Sequence, residues 1–194
     1  TANGNFDATG ILGVDGTTDL TAGPNDGDVT GQVLAGANVT ATTTGLSGST
    51  APNATATIGG SSDPVSLAGL QEVDILGGMV GTNTVKGTSF GDFDVTASSV
   101  AGNATGSSDV DAYGIYDADN DGTIDLSGNI QAIAQLSNSV TARSVSGNAV
   151  ATATGDAIGL SGYTINIIGS GSLTASSNNT NGSIASSVGG RASA

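Results

Sequence analysis

Between Ile124 and Ala142 apolar and polar positions alternate along the chain. Ile124, Leu126, Ile130, Ala132, Ala134, Leu136, Val140 and Ala142 fall on even positions, interrupted at Gly128 and Asn138. Asp125, Ser127, Asn129, Gln131, Gln135, Ser139 and Thr141 fall on odd ones, with Ile133 the exception. A period of two marks strands with one face buried and one in water. Drawn straight at roughly 3.3 Å per residue the stretch spans about 60 Å, too long for one strand of a small domain. Turns are therefore expected at Ser127-Gly128-Asn129, Ser137-Asn138-Ser139 and Ser146-Gly147-Asn148. One short helix is expected after Ser62-Asp63, with Pro64 at its first position and Leu67 and Leu70 on one face.

The same grammar recurs along the chain. Thr96-Ala97-Ser98-Ser99-Val100-Ala101-Gly102-Asn103-Ala104 returns 45 residues later as Thr141-Ala142-Arg143-Ser144-Val145-Ser146-Gly147-Asn148-Ala149. A third copy, Ala185-Ser186-Ser187-Val188-Gly189-Gly190-Arg191-Ala192, follows after 43 more, and the shared pattern is A-x-S-V-x-G-x-A. Gly69-Leu70, Gly114-Ile115 and Gly159-Leu160 are also 45 apart, and Gly10-Ile11 precedes them by 59. Five residues beyond this glycine stand Asp15, Asp74 and Asp119, which the repeat places on related layers. Repeats are read at 8–58, 65–109, 110–155 and 156–194, within one all-β domain spanning 1–194. The first carries an insertion near Gly45–Pro52, the last is shortened, and 1–7 reads as an N-terminal connector. Asn3–Ala8 resembles the tail of a preceding repeat and Arg191–Ala194 stops inside the same tail, with no obvious cap at either end. Short strands inside long repeats predict a parallel β-solenoid of four repeats. At two rungs per repeat and ~4.8 Å per rung, eight rungs make a rod near 40 Å. The alternative is a β-sandwich or jelly-roll filament subunit with strand donation.

The G-[IL] start, the alternating Ala/Thr/Val strands and the A-x-S-V-x-G-x-A close resemble the repeats of large secreted bacterial β-solenoid surface proteins, such as haemagglutinin-like fibres and adhesin stalks. The resemblance covers nearly the whole chain as repeat grammar and implies a secreted, extracellular or cell-surface protein.

Composition narrows the classes further. The 194 residues include 32 Gly but no Cys, His or Trp, and aromatics are 3%. A core of Ala, Val, Ile and Leu must be thin and regular to pack densely. Of the 17 acidic residues only Glu72 is Glu; Asp belongs to turns and Glu to helix interiors. A net charge of −14, with Lys86, Arg143 and Arg191 the only cations, excludes nucleic acid and anionic membranes as partners. No run is long enough to insert in a membrane.

Asp117-Ala118-Asp119-Asn120-Asp121-Gly122-Thr123-Ile124-Asp125 is similar to the calcium loop of EF-hand and dockerin-type modules. The resemblance implies Ca2+ held by Asp117, Asp119, Asp121, the Thr123 carbonyl and Asp125. It departs from the pattern at position 12, which is Gly128, and lacks flanking helices; the other reading is an acidic Asp-Gly turn. A weaker candidate is Asn25-Asp26-Gly27-Asp28 with Asp15 and Asp19. Thr40–Thr44 and Thr55–Thr57 read as exposed β-formers rather than an ice-binding array. Sequons at Asn38, Asn53, Asn103, Asn178 and Asn181 are about as many as chance gives this composition.

The chain reads as a non-enzyme: it has no His base or Cys nucleophile, and Lys86 is the only lysine. Asp92 and Asp94 could pair for glycoside hydrolysis, but no aromatic platform accompanies them in the sequence. The expected role is a structural subunit of an extracellular filament, surface layer or biofilm matrix, its partner another copy of itself added head to tail. The interface is expected at Thr1, Ala2, Asn3, Gly4, Asn5 and Phe6 against Ser183, Ile184, Ala185, Val188 and Ala194. The alternative is a calcium-stiffened adhesin or stalk segment that binds a surface glycan.

Overall fold

The computed structural model describes residues 1–13, 19–20, 28–45, 51–60, 64–75, 84–126, 128–167 and 169–194. They form strands and corners, with no helix among them. The chain makes successive passes of strands. The first has β1 (Ala2–Gly4), β2 (Ala8–Leu12), β3 (Asp19–Leu20) and β4 (Val29–Thr43). The second has β5 (Ala54–Ile58), β6 (Val65–Gln71), β7 (Asp74–Ile75) and β8 (Thr84–Ser99). The third has β9 (Ala104–Tyr116), β10 (Gly122–Leu126) and β11 (Asn129–Ser144). The last has β12 (Ala149–Thr154), β13 (Ala157–Ser161), β14 (Tyr163–Ile167) and β15 (Ser172–Ser187), followed by β16 (Ala192–Ser193).

Each strand pairs with its counterpart one pass away, and every pairing is parallel. One sheet runs β15-β11-β8-β4, a second β14-β10-β7-β3, and an eight-stranded third β1-β5-β9-β12-β16 with β2, β6 and β13 attached beside that path. The three sheets stay separate in their hydrogen bonding. An antiparallel sandwich is therefore excluded as the alternative. Each repeat places one strand, not two, in the long sheet: Asn129 faces Thr84, 45 residues back, in the adjacent strand. The stack is accordingly four strands deep in its long sheet, about half the expected height.

The alternation of inward and outward positions is as expected, whereas two local elements differ. β11 runs without a break through Ser137-Asn138-Ser139; Asn138 is buried on its inner face and its Nδ2 donates to Thr154 O at 2.8 Å. The amide N–H is thus bonded across the core rather than by turning the chain, while the buried Oδ1 has no hydrogen-bond partner. Leu67 and Leu70 lie in β6, not on a helix, since pairing to β2 and β9 supplies hydrogen bonds that the weak helix signal cannot match. Ser62 and Asp63 lie outside the described residues. Thr1–Asp7, read as a connector, is built into the first pass: Ala2–Gly4 pairs with Ala56–Ile58, and Phe6 lies against Phe93 with ring centroids 5.9 Å apart.

The glycine landmark divides the core in two. A Cβ added to Gly69 would collide with the backbone of Thr88 and stand 2.7 Å from both Gly87 C and Gly114 O. At this column the sheets touch backbone to backbone, which only glycine allows. On one side Leu67, Phe93, Val95, Val110, Leu136 and Val140 form the larger cluster. On the other Leu70, Val73, Ile75, Val85, Ile115, Ile124 and Ile130 form the smaller. The ladder skips this glycine, pairing Ala68 with Tyr113 and Leu70 with Ile115. Leu67 and Leu70 therefore both point inward although they are three apart.

The A-x-S-V-x-G-x-A close is a corner with its own hydrogen-bond ladder. The Oγ of Ser99, Ser144 and Ser187 accepts from the N–H of Gly102, Gly147 and Gly190 at 2.9, 2.8 and 2.8 Å. The same hydroxyls donate one pass back, to the carbonyls of Pro52, Gly102 and Gly147 at 2.9, 2.8 and 2.7 Å. Beside them Asn53, Asn103 and Asn148 present Oδ1 to the N–H of Asn103, Asn148 and Arg191, each at 2.9 Å. The sequon residues Asn53 and Asn103 thus have a structural use.

Candidate functional site

The acidic loop rises from the corner between β9 and β10. At this corner the passes stack as Gly13, Glu72, Asp117 and Gly162: Gly13 N–H donates to Gln71 O, Glu72 N–H to Tyr116 O and Asp117 N–H to Ser161 O. Two carboxylates, Glu72 and Asp117, therefore occupy adjacent layers between two glycines. Glu72 adopts the left-handed φ of 53°, as Gly162 does at 84°. A side chain there costs roughly 1–2 kcal/mol. Asp117 is 2% exposed. Its Oδ1 accepts from Asp119 N–H at 3.1 Å and its Oδ2 from Gly122 N–H, closing the loop on itself. Glu72 Oε1 accepts from Ala118 N–H at 2.9 Å.

These contacts set the two acids apart. Burial pushes the Asp117 carboxyl up, yet hydrogen bonds from Gly122, Glu72, Asp119 and Asp121 outweigh it and hold it below the ordinary carboxylate range. Burial also raises Glu72; the Ala118 N–H opposes this, while the neighbouring Asp117 and Asp119 add to it. Burial and, after it, the like charge one layer away make Glu72 the weaker acid of the two, so Asp117 gives up its proton first.

The calcium-loop residues are distributed differently from the expectation. Asp119 and Asp121 are exposed, Thr123 is in β10 with its N–H donating to Asp74 Oδ1 at 2.6 Å, and Asp125 accepts from Asn166 Nδ2 at 3.2 Å. Among the described residues no three acidic side chains are grouped so as to hold a metal ion. What does gather around one small recess is Glu72, Asp74, Asp117 and Asp121. Glu72 and Asp74 come from the preceding pass, a neighbour that a local loop pattern cannot register. Asp74 stands opposite Asp19 and hydrogen-bonds Thr123, so the five-residue spacing from the glycine does not align it with Asp119. The offset to the preceding pass is 45 at Tyr116 and 49 at Ile124, so four additional residues in the third pass displace Asp119 into the loop. Asp15 and the Asn25–Gly27 candidate lie outside the described residues, and Asp28 caps Thr84 N–H at 2.8 Å.

The proposed contact segments lie at opposite edges of the stack. β1 is one edge of its sheet and β16 the other; β4 and β15 are the edges of the long sheet. Ala2 and Ala185 are half-buried against the larger core cluster. Ile184 and Val188 are 61% and 84% exposed.

Asp92 and Asp94 lie on the outer face of β8, and the missing aromatic is there with them. Inner positions of β8 are odd, from Val85 to Ser99, so Phe90, Asp92 and Asp94 share the outer face. The signal that finds it is the parity of Val95 and Ala97, carried back along the strand: it sends Phe93 inward and Phe90 outward. Among the described residues no helix is long and apolar enough to cross a membrane. No family model, curated protein or solved structure matches the chain.

Proposed function

We propose that the chain is a parallel β-solenoid segment and that it works as a structural subunit of an extracellular filament or surface layer, growing by head-to-tail backbone pairing. The supporting observation is the long sheet β15-β11-β8-β4, whose strands are parallel and in register from end to end. In a parallel stack the two edges differ, and the unpaired N–H and C=O groups of one complement those of the other. Pairing the β4 edge of one copy with the β15 edge of the next is a heterologous contact that repeats without closing. The last pass is also laid open: Ala175, Ser177 and Asn179 hold inward registers opposite Ala132, Ala134 and Leu136, yet they are exposed. A covering layer is what they lack.

Negative-stain microscopy of purified protein tests this. Ser177→Lys puts a charge where the next layer must sit and should abolish filaments, while Thr174→Lys on the outer face should leave them. Both variants should melt as the parent does when dispersed. Parent protein that stays monomeric at high concentration sinks the reading.

In a second reading the segment is a calcium-stiffened stalk. It rests on the recess lined by Glu72, Asp74, Asp117 and Asp121, and it requires Glu72, Asp74 and Asp117 to turn from their backbone N–H partners onto the ion. EGTA should then lower the melting temperature; an unchanged value removes calcium from the account.

A further inference from the structure

The outer face of the long sheet carries a cleft that polymerisation does not use. Its shape follows from two neighbouring columns of side chains that cross the strands. One is large: Leu34, Phe90, Gln135 and Asn178, in register on β4, β8, β11 and β15. The next is small: Gly36, Asp92, Ser137 and Thr180. The step between them is a cleft of about 330 Å3. It crosses four strands, about 14 Å, and so runs parallel to the stack.

Phe90 is half-buried on this face, in register between Leu34 and Gln135. The chain has three Phe; of the other two, Phe93 is fully buried and Phe6 packs against it from the edge of the core. Leu34 beside it is 82% exposed. An apolar floor with a few polar groups at its rim is the composition of a ligand site. Gln135 and Asn178 offer both donors and acceptors, Asp92 accepts only, and Ser137 and Thr180 add hydroxyls. An aromatic face beside amides and a carboxylate matches a pyranose ring, whose C–H face is apolar and whose edge bears hydroxyls. No cation lines the cleft and the chain carries −14, so an acidic polysaccharide is repelled.

We propose that this cleft binds a neutral or amino-sugar oligosaccharide, with Phe90 as the stacking platform and Asp92, Gln135 and Asn178 reading the hydroxyls. The site binds and does not cleave. Asp92 and Asp94 project from the same face of one strand, whereas glycosidic cleavage needs carboxyl groups flanking the bond. The proposal holds whether or not the chain polymerises.

The test is calorimetric titration of the dispersed protein with cellohexaose, chitohexaose and polygalacturonate, with 15N–1H spectra to locate the site. A neutral or amino hexasaccharide should bind and shift signals at Leu34, Phe90, Gln135 and Asn178, and polygalacturonate should not. Phe90→Ala should weaken binding about tenfold. Phe90→Tyr should retain it, and Asp92→Asn should weaken it less than Phe90→Ala does. Circular dichroism should be unchanged in all three. Absence of binding by every probe, binding that survives Phe90→Ala, or shifts confined to another face would each overturn the site. So would a change of mass by light scattering in Phe90→Ala without sugar, which would make this face a contact between copies.

Discussion

Glu72 concentrates three constraints in one residue: a left-handed backbone, a partly buried carboxyl and a carboxylate neighbour in the next layer. Because folding raises its pKa, the folded chain holds this proton more tightly than the unfolded one. Its contribution to stability is therefore full below the ordinary Glu value of 4.5 and declines as pH rises through the raised value. Asp117 works in the opposite sense. Its pKa is lowered, so its contribution is present above the ordinary Asp value of 3.8 and is lost as pH falls through the lowered one. Glu72→Gln keeps an acceptor for Ala118 N–H but has no proton to lose. The variant should melt above the parent at pH 7, and the gap should close near pH 4. A variant that melts below the parent at pH 7 would show the carboxylate to be a net support.

At the scale of elements, the glycine column explains why β6, β9 and β13 can touch the long sheet. Gly114 packs against Ala132 and Ile133, and an added Cβ would stand 2.5 Å from Gly159 O and 2.7 Å from Ala132 C, both backbone atoms. Backbone cannot rotate away as a side chain does. Gly114→Ala should cost about 1–3 kcal/mol, the range of overpacking. Gly182→Ala, with nothing within 4 Å, is the control and should be near neutral in chemical denaturation. The sequence displayed this column as a 45-residue landmark, and the inward parity of Ile130 to Ala142 was equally plain in it. Its cause was not, because the glycines of one strand are required by the backbone of another about 20 residues away. The same holds for Ser144 and Asn103: their spacing is visible, while the partners they bind lie in a neighbouring pass. Glu72 and Phe90 are not legible as site residues in the sequence, for related reasons. One is far in sequence from the loop it joins, and the other is an apolar residue on a wet face.

For the molecule as a whole, the repeat offset measures how the passes are joined. It is 59 between Ala8 and Leu67, 56 between Val29 and Val85, 50 between Ala54 and Ala104, and 45 between Asn129 and Thr84. Differences accumulate between strands, while registers within the long sheet never slip. A one-residue slip would turn every inward side chain to water, so the sheet cannot absorb an insertion. The bends can. The architecture separates a part that keeps time from a part free to vary: new peptide grafted at residues 118–121, all exposed, would be carried on the outside like a flag on a measuring tape.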